Sequence, residues 1–192
     1  DNIEISNNNL TDVEGLAINF VATGYYTNLL TGEMKAIAVL KARLKHILIK
    51  NNKLYNCGFR NTSFWSNGGA AINIICGEMI EISNNVIDTV YAQGINVFNG
   101  SAFENKSKVS GLEYPLIRTL IYNNVVTNSL LSNQDYGGIE SWWAGPVYIY
   151  NNISGNAVGY KHLHYRTHSW PKGHYRANSF GAAIYLDGEY KS

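Results

Sequence analysis

Apolar and polar positions alternate in short runs along most of the chain, and one run keeps returning. It reads apolar, any, apolar, polar, Asn-Asn, any, apolar. The copies are IEISNNNL from Ile3, ILIKNNKL from Ile47, IEISNNVI from Ile80, TLIYNNVV from Thr119 and VYIYNNIS from Val147. A weaker sixth copy, HYRANSFG, carries Asn178. Alternation with a period of two marks a strand with one face buried. The Asn pairs, Asn7-Asn8, Asn51-Asn52, Asn84-Asn85, Asn123-Asn124 and Asn151-Asn152, suit turns because Asn tolerates left-handed backbone. A second alternating phrase follows most copies: small or Gly, apolar, any, apolar. It reads GLAI at Gly15, AINI at Ala71, GINV at Gly94, GIES at Gly138, HLHY at His162 and AIYL at Ala183. Each repeat is therefore expected to hold two short strands separated by an Asn turn.

The later Asn residues of successive copies (8, 52, 85, 124, 152 and 178) lie 44, 33, 39, 28 and 26 positions apart. A unit of about 20 to 30 residues, with period-2 strands and no helix between them, is the mark of a solenoid of stacked coils. The pattern predicts an all-β fold, a right-handed parallel β-helix of about six coils forming one domain over 1–192. Insertions are expected near 24–46, 99–116 and 166–176. Ile5, Ile49, Ile82, Ile121 and Ile149 should stack in one buried ladder, and the repeated Asn should bond from coil to coil. Residues 31–45 carry apolar positions near helical spacing and read either as a short inserted helix or as strand running into Ile47. A β-helix exposes unpaired strand edges at its ends unless they are capped. No cap is visible here, so further β-helix polypeptide is expected at one or both ends. The chain opens on Ile3-Glu4-Ile5 without a methionine or signal peptide, as a processed or truncated chain would.

Composition agrees with many short strands and many turns. The 192 residues include 25 Asn and 18 Gly, both poor helix formers, and only 3 Pro. Charged residues make up 15% and aromatic residues 12%, the opposite of a disordered chain. A net charge of +1 gives no global field to attract nucleic acid. No apolar run is long enough to span a membrane. Cys57 and Cys76 sit in apolar surroundings without ligand spacing and read as small core residues. A disulfide between them is possible.

Stacking the second phrase brings candidate chemistry into register. One column reads Ala17, Asn73, Asn96, Glu140, His164 and Tyr185. The column two positions on reads Asn19, Ile75, Phe98, Trp142, Arg166 and Asp187. The last three coils thus gather Glu140, Trp142, His164, Arg166, Tyr185 and Asp187. Glu140 and Asp187 are expected two coils apart. Asp135 lies at the mouth of the same strand as Glu140. Trp142, the adjacent Trp143 and Tyr185 offer flat faces for sugar rings. His162, His164 and Arg166 can bind hydroxyls or a carboxylate. Asp135, Glu140 and Asp187 are the acids available for work on a glycosidic bond, where one protonates the leaving oxygen and another attacks or activates water. The bland alternative is a solvated outer face. His162, His164, His168 and His174 do not form a usual zinc spacing, and no metal or other cofactor is expected.

The phrases NQDYGGIESWWAGPVYIYNNISGN and FGAAIYLDGEYK resemble bacterial right-handed β-helix proteins of carbohydrate breakdown. The nearest pattern is that of glycoside hydrolase family 141 and its relatives, which include α-L-fucosidases and xylanases. In that pattern an Asp precedes Gly-Gly and an apolar strand, and an IYLDD-like phrase follows coils later. Asp135 matches the first and Asp187 the second. Gly188 stands where a second acid is often found, and Glu140 where Tyr is common. The resemblance covers roughly 123–191 and implies a secreted, periplasmic or cell-surface hydrolase acting on a polysaccharide or oligosaccharide, with Asp135 and Asp187 as the acids. Two other functions fit the same scaffold. One is a polysaccharide lyase using Arg166, Lys161 or a histidine as base. The other is a glycan-binding β-helix protein without catalysis.

Overall fold

The computed structural model describes residues 2–21, 25–27, 34–36, 44–60, 69–75, 77–98, 118–132, 136–142, 146–159 and 181–187. Its strands, β1 to β17 in chain order, form three parallel five-stranded sheets and one hairpin. The first sheet holds β1 (Ile3–Ser6), β6 (Ile47–Lys50), β9 (Met79–Ser83), β12 (Arg118–Tyr122) and β15 (Val147–Tyr150). The second holds β2 (Asn9–Val13), β7 (Lys53–Cys57), β10 (Val86–Val90), β13 (Val125–Ser129) and β16 (Ile153–Ala157). The third holds β3 (Ile18–Val21), β8 (Ile72–Ile75), β11 (Ile95–Phe98), β14 (Tyr136–Trp142) and β17 (Gly181–Asp187). Each coil gives one strand to each sheet in turn, which is a parallel β-helix. Five coils lie among the described residues, and the sixth phrase, around Asn178, lies outside them.

One expectation changes. A coil carries three strands, not two: β2, β7, β10, β13 and β16 follow the Asn pairs directly. These strands are half polar (NLTDV, KLYNC, VIDTV, VVTNS, ISGNA), and each contains a left-handed residue. Asp12, Asn56, Thr89, Asn128 and Asn156 have φ between 51° and 57°. That kink turns the chain toward the third sheet and breaks the alternation a sequence pattern relies on. Of the two readings open for 31–45, residues 34–36 take the strand: β5 (Met34–Ala36) pairs antiparallel with β4 (Tyr25–Thr27). No α-helix occurs among the described residues. The insertions at 99–116 and 166–176 lie outside them.

The isoleucine ladder forms as expected. Ile5 pairs with Ile49, Ile49 with Ile82, Ile82 with Ile121 and Ile121 with Ile149. Ile49, Ile82 and Ile121 are fully buried. A matching buried ladder in the third sheet runs Ile18, Ile72, Ile95 and Ile139; Ile184 continues its register but is exposed. Burying each such side chain is worth about 1.5–3 kcal/mol, so the inward stacks supply the drive that closes the coils.

The paired Asn residues divide the labour of the corner between them. The first of each pair takes left-handed backbone, with φ of 59° at Asn7, 56° at Asn51, 55° at Asn84, 54° at Asn123 and 53° at Asn151. The second turns inward and builds the ladder Asn8–Asn52–Asn85–Asn124–Asn152, each amide bonded to the next at 2.9–3.0 Å.

Cys57 is buried at the inner edge of the second sheet and forms no disulfide. Cys76 lies outside the described residues. Burial, with a smaller contribution from the Asp12 charge, pushes the Cys57 thiol up to about 11. The thiolate is the reactive form. Iodoacetamide at pH 8 should therefore leave Cys57 unmodified in the folded protein and alkylate it in urea, read by peptide mass spectrometry. Rapid labelling of the native chain would contradict this burial.

Candidate functional site on the third sheet

The pleat of the third sheet puts Ile72, Ile74, Ile95, Val97 and Ile139 in the core. The residues between them therefore face the other side. One outer column is Asn19, Asn73, Asn96, Glu140, Tyr185, and the next is Val21, Ile75, Phe98, Trp142, Asp187. The first coil is thus shifted by two residues from the sequence alignment: Asn19, not Ala17, heads the first column.

The order of strands also corrects the expected spacing. β17 pairs directly with β14, so Glu140 and Asp187 lie on adjacent strands rather than two coils apart. Glu140 stands opposite Tyr185, and Trp142 opposite Asp187. Glu140 and Asp187 are then about 8 Å apart at the backbone, from about 4.8 Å across the pair and two residues of about 3.3 Å along it. Asp135, Trp143, His162, His164 and Arg166 lie outside the described residues. The structure therefore brings together four of the residues singled out above: Glu140, Trp142, Tyr185 and Asp187.

Their environments differ sharply. Glu140 is only 1% exposed, and Asp187 is exposed. A buried carboxylate must be hydrogen-bonded to persist. Glu140 Oε2 accepts from Gln93 Nε2 at 3.2 Å and from the Gly137 N–H at 3.3 Å. Both donors hold it on the Gly137 side of the strand, away from the row that Trp142 and Asp187 share. Glu140 is thus not a solvated outer-face residue. Its column neighbours Asn73 and Asn96 are buried as well: Asn96 Nδ2 donates to Asn73 Oδ1 at 2.7 Å, and Asn73 Nδ2 to Oδ1 of the exposed Asn19 at 2.9 Å. Beside Asp187, the Trp142 ring packs on Phe98 with centroids 4.6 Å apart and planes tilted by 33°. The result is a half-buried aromatic wall ending at an exposed carboxylate.

Gly137 explains part of the Gly-Gly motif. A Cβ there would meet the Tyr185 Cβ at 2.7 Å and its backbone nitrogen at 2.9 Å. A side chain at this position would push β17 off β14 and separate Asp187 from Trp142. Phe98, Gln93 and Gly137 are the neighbours that the sequence did not assign to the site. Phe98 already stood in the Trp142 column and was readable there as its stacking partner. Gln93 lies in the turn before β11, where no alternation points to it.

Fold and site together define a parallel β-helix with an acidic and aromatic patch on one outer face. A family model described as disaggregatase related matches residues 1–160, and the chain belongs to that family. No curated protein and no solved structure matches it.

Proposed function

We propose that this protein is a glycoside hydrolase whose active site lies on the outer face of the third sheet, as the resemblance to family 141 implies. The observation that carries the reading is the pairing of β14 with β17, which sets exposed Asp187 against the Trp142–Phe98 wall. A sugar ring can lie on that wall with its glycosidic oxygen within reach of the Asp187 carboxylate. Asp135, immediately before β14 in sequence, supplies the second acid. One of the two protonates the leaving oxygen, and the other attacks the anomeric carbon or activates a water. Tyr185, opposite Glu140, adds a polar edge. Glu140 acts through the strand: its bonds to Gln93 and Gly137 hold the β14 backbone that carries Trp142. Trp143, His162, His164 and Arg166 would bind the substrate's hydroxyls. The protein acts outside the cell or at its surface, where polysaccharide is found.

The burial of Glu140 favours a second reading, a glycan-binding β-helix without catalysis. Of the two acids described here, only Asp187 is open to solvent. Incubation of the full-length protein with a panel of plant and microbial glycans separates the readings. The hydrolase releases reducing ends without ultraviolet-absorbing product. An unsaturated, absorbing product would instead mark a lyase, and binding without product would mark the second reading.

A further inference from the structure

The first sheet also has an outer face, and its residues come from the variable positions of the repeat phrase. One column runs Glu4, Leu48, Glu81, Leu120, Tyr148, and the next Ser6, Lys50, Ser83, Tyr122, Tyr150. A groove of about 350 Å³ crosses β1, β6, β9 and β12 on this face, with Glu4, His46, Leu48, Glu81, Arg118 and Leu120 in its lining. At a coil spacing of about 4.8 Å, four strands make it about 14 Å long. Beyond its β12 end stand two exposed tyrosines of β15, Tyr148 at 53% and Tyr150 at 45%.

The polar groups of this face are held in place. Lys50 Nζ lies 3.1 Å from a Glu4 carboxylate oxygen. The Ser6 hydroxyl first, and Lys50 second, hold the Glu4 carboxyl below its ordinary range. The Tyr122 hydroxyl donates to Glu81 Oε1, which fixes that carboxylate over the groove. The Tyr122 ring stacks flat on Tyr150, with centroids 5.0 Å apart and planes within 1°. That stack is explained as a sheet-stabilising ladder. Tyr148 is not: its exposed ring continues the column of Leu48 and Leu120.

We propose that this groove is a second carbohydrate site, binding a neutral oligosaccharide segment laid across the coils with one ring on Tyr148. Charge selects the ligand class. Glu4 and Glu81 are balanced by Lys50 and Arg118, so neither a polyanion nor a polycation gains net attraction. Planar carboxylate and guanidinium groups suit pairs of neighbouring hydroxyls. Adjacent Leu120 and Tyr148, with Leu48 beyond Glu81, suit the hydrocarbon faces of sugar rings. A concave site with an apolar floor and a few oriented polar groups is the usual form of a small-ligand pocket. The proposal does not rest on catalysis at the third sheet, which involves a different face and other residues.

Affinity electrophoresis tests it. The protein is run through gels holding xylan, mannan or a β-1,3-glucan, and through gels holding polygalacturonate or chitosan. At least one neutral glycan should retard it more than either charged one. For that glycan, Tyr148→Ala, which removes the stacking ring, and Glu81→Gln, which removes the charged acceptor, should each weaken retention about tenfold or more, and Tyr148→Phe should keep it. Tyr148 is exposed and Glu81→Gln conserves size, so both variants should melt like the wild type. No retention by any neutral glycan, stronger retention by a charged one, or wild-type retention of both variants would overturn the site. None of these outcomes depends on the release of reducing ends.

Discussion

Replacing Asn85 by alanine should cost about 3 kcal/mol or more of stability. Asn85 is fully buried at the middle of the Asn ladder. Its Oδ1 accepts two bonds from Asn52, from the backbone N–H and from Nδ2, both at 3.0 Å. Its Nδ2 donates to Ile49 O at 3.1 Å, Ser83 O at 3.0 Å and Asn124 Oδ1 at 2.9 Å. Alanine fills none of these roles. The Asn52 N–H is then buried without a partner, and each group orphaned in this way costs about 1–3 kcal/mol. For a chain of this size the midpoint of thermal unfolding should fall by about 6 to 12 °C.

The neighbouring residue provides the contrast. Asn84 is exposed and contributes a φ of 55° rather than ladder bonds. Asn84→Ala should cost only about 1–2 kcal/mol, because alanine lacks the short polar side chain that lets Asn adopt left-handed backbone, and Asn84→Gly should cost less still. Urea titrations of the three variants check the division of roles. Asn85→Ala within about 1 kcal/mol of wild type would show that the ladder is not what holds the corner.

Much of this fold is legible in the chain because one physical requirement repeats at every coil. The inner column of the first sheet must be apolar, and the corner after it must be left-handed and hydrogen-bonded, so IxIxNN recurs. The strands of the second sheet hide because half their positions are polar and their left-handed residue spoils the alternation. The slip in the first coil has a similar origin. Leu16 and Ile18 are both apolar and two apart, and a shift of two residues preserves the alternation of faces. Sequence therefore cannot choose between GLAI and AINF, whereas pairing to Ile72 can. The site was legible as a set of residue types and less so as an environment. Glu140 looks like a solvated outer-face acid in sequence, because alternation reports which face a residue is on and not whether that face is covered. Its burial, and its bonds to Gln93 and Gly137, exist only once the coils stack. The direct pairing of β14 with β17 was hidden in the same way, because in sequence the phrase at His162 reads as a further coil between them.

Asp187→Asn should lower turnover by at least about 100-fold while the protein stays folded. Asp187 is the acid that both the column register and the resemblance point to. It is exposed at the end of the Trp142–Phe98 wall, while Glu140 is buried and held toward Gly137. A proton transferred by a positioned carboxylate contributes about 10² to 10⁴ in rate, and the isosteric amide can neither give nor take that proton. Asn preserves the shape of the side chain at an exposed position, so stability should change by less than about 0.5 kcal/mol. Glu140→Gln offers the internal comparison: it disturbs a buried acceptor of two bonds, so it should lower stability as well as rate. The decisive measurement is the initial rate of reducing-end release by wild type and Asp187→Asn on the glycan that the wild type degrades, with a melting curve for each. The site proposed here predicts a loss of about 100-fold or more at an unchanged melting temperature. Wild-type turnover by folded Asp187→Asn would contradict it.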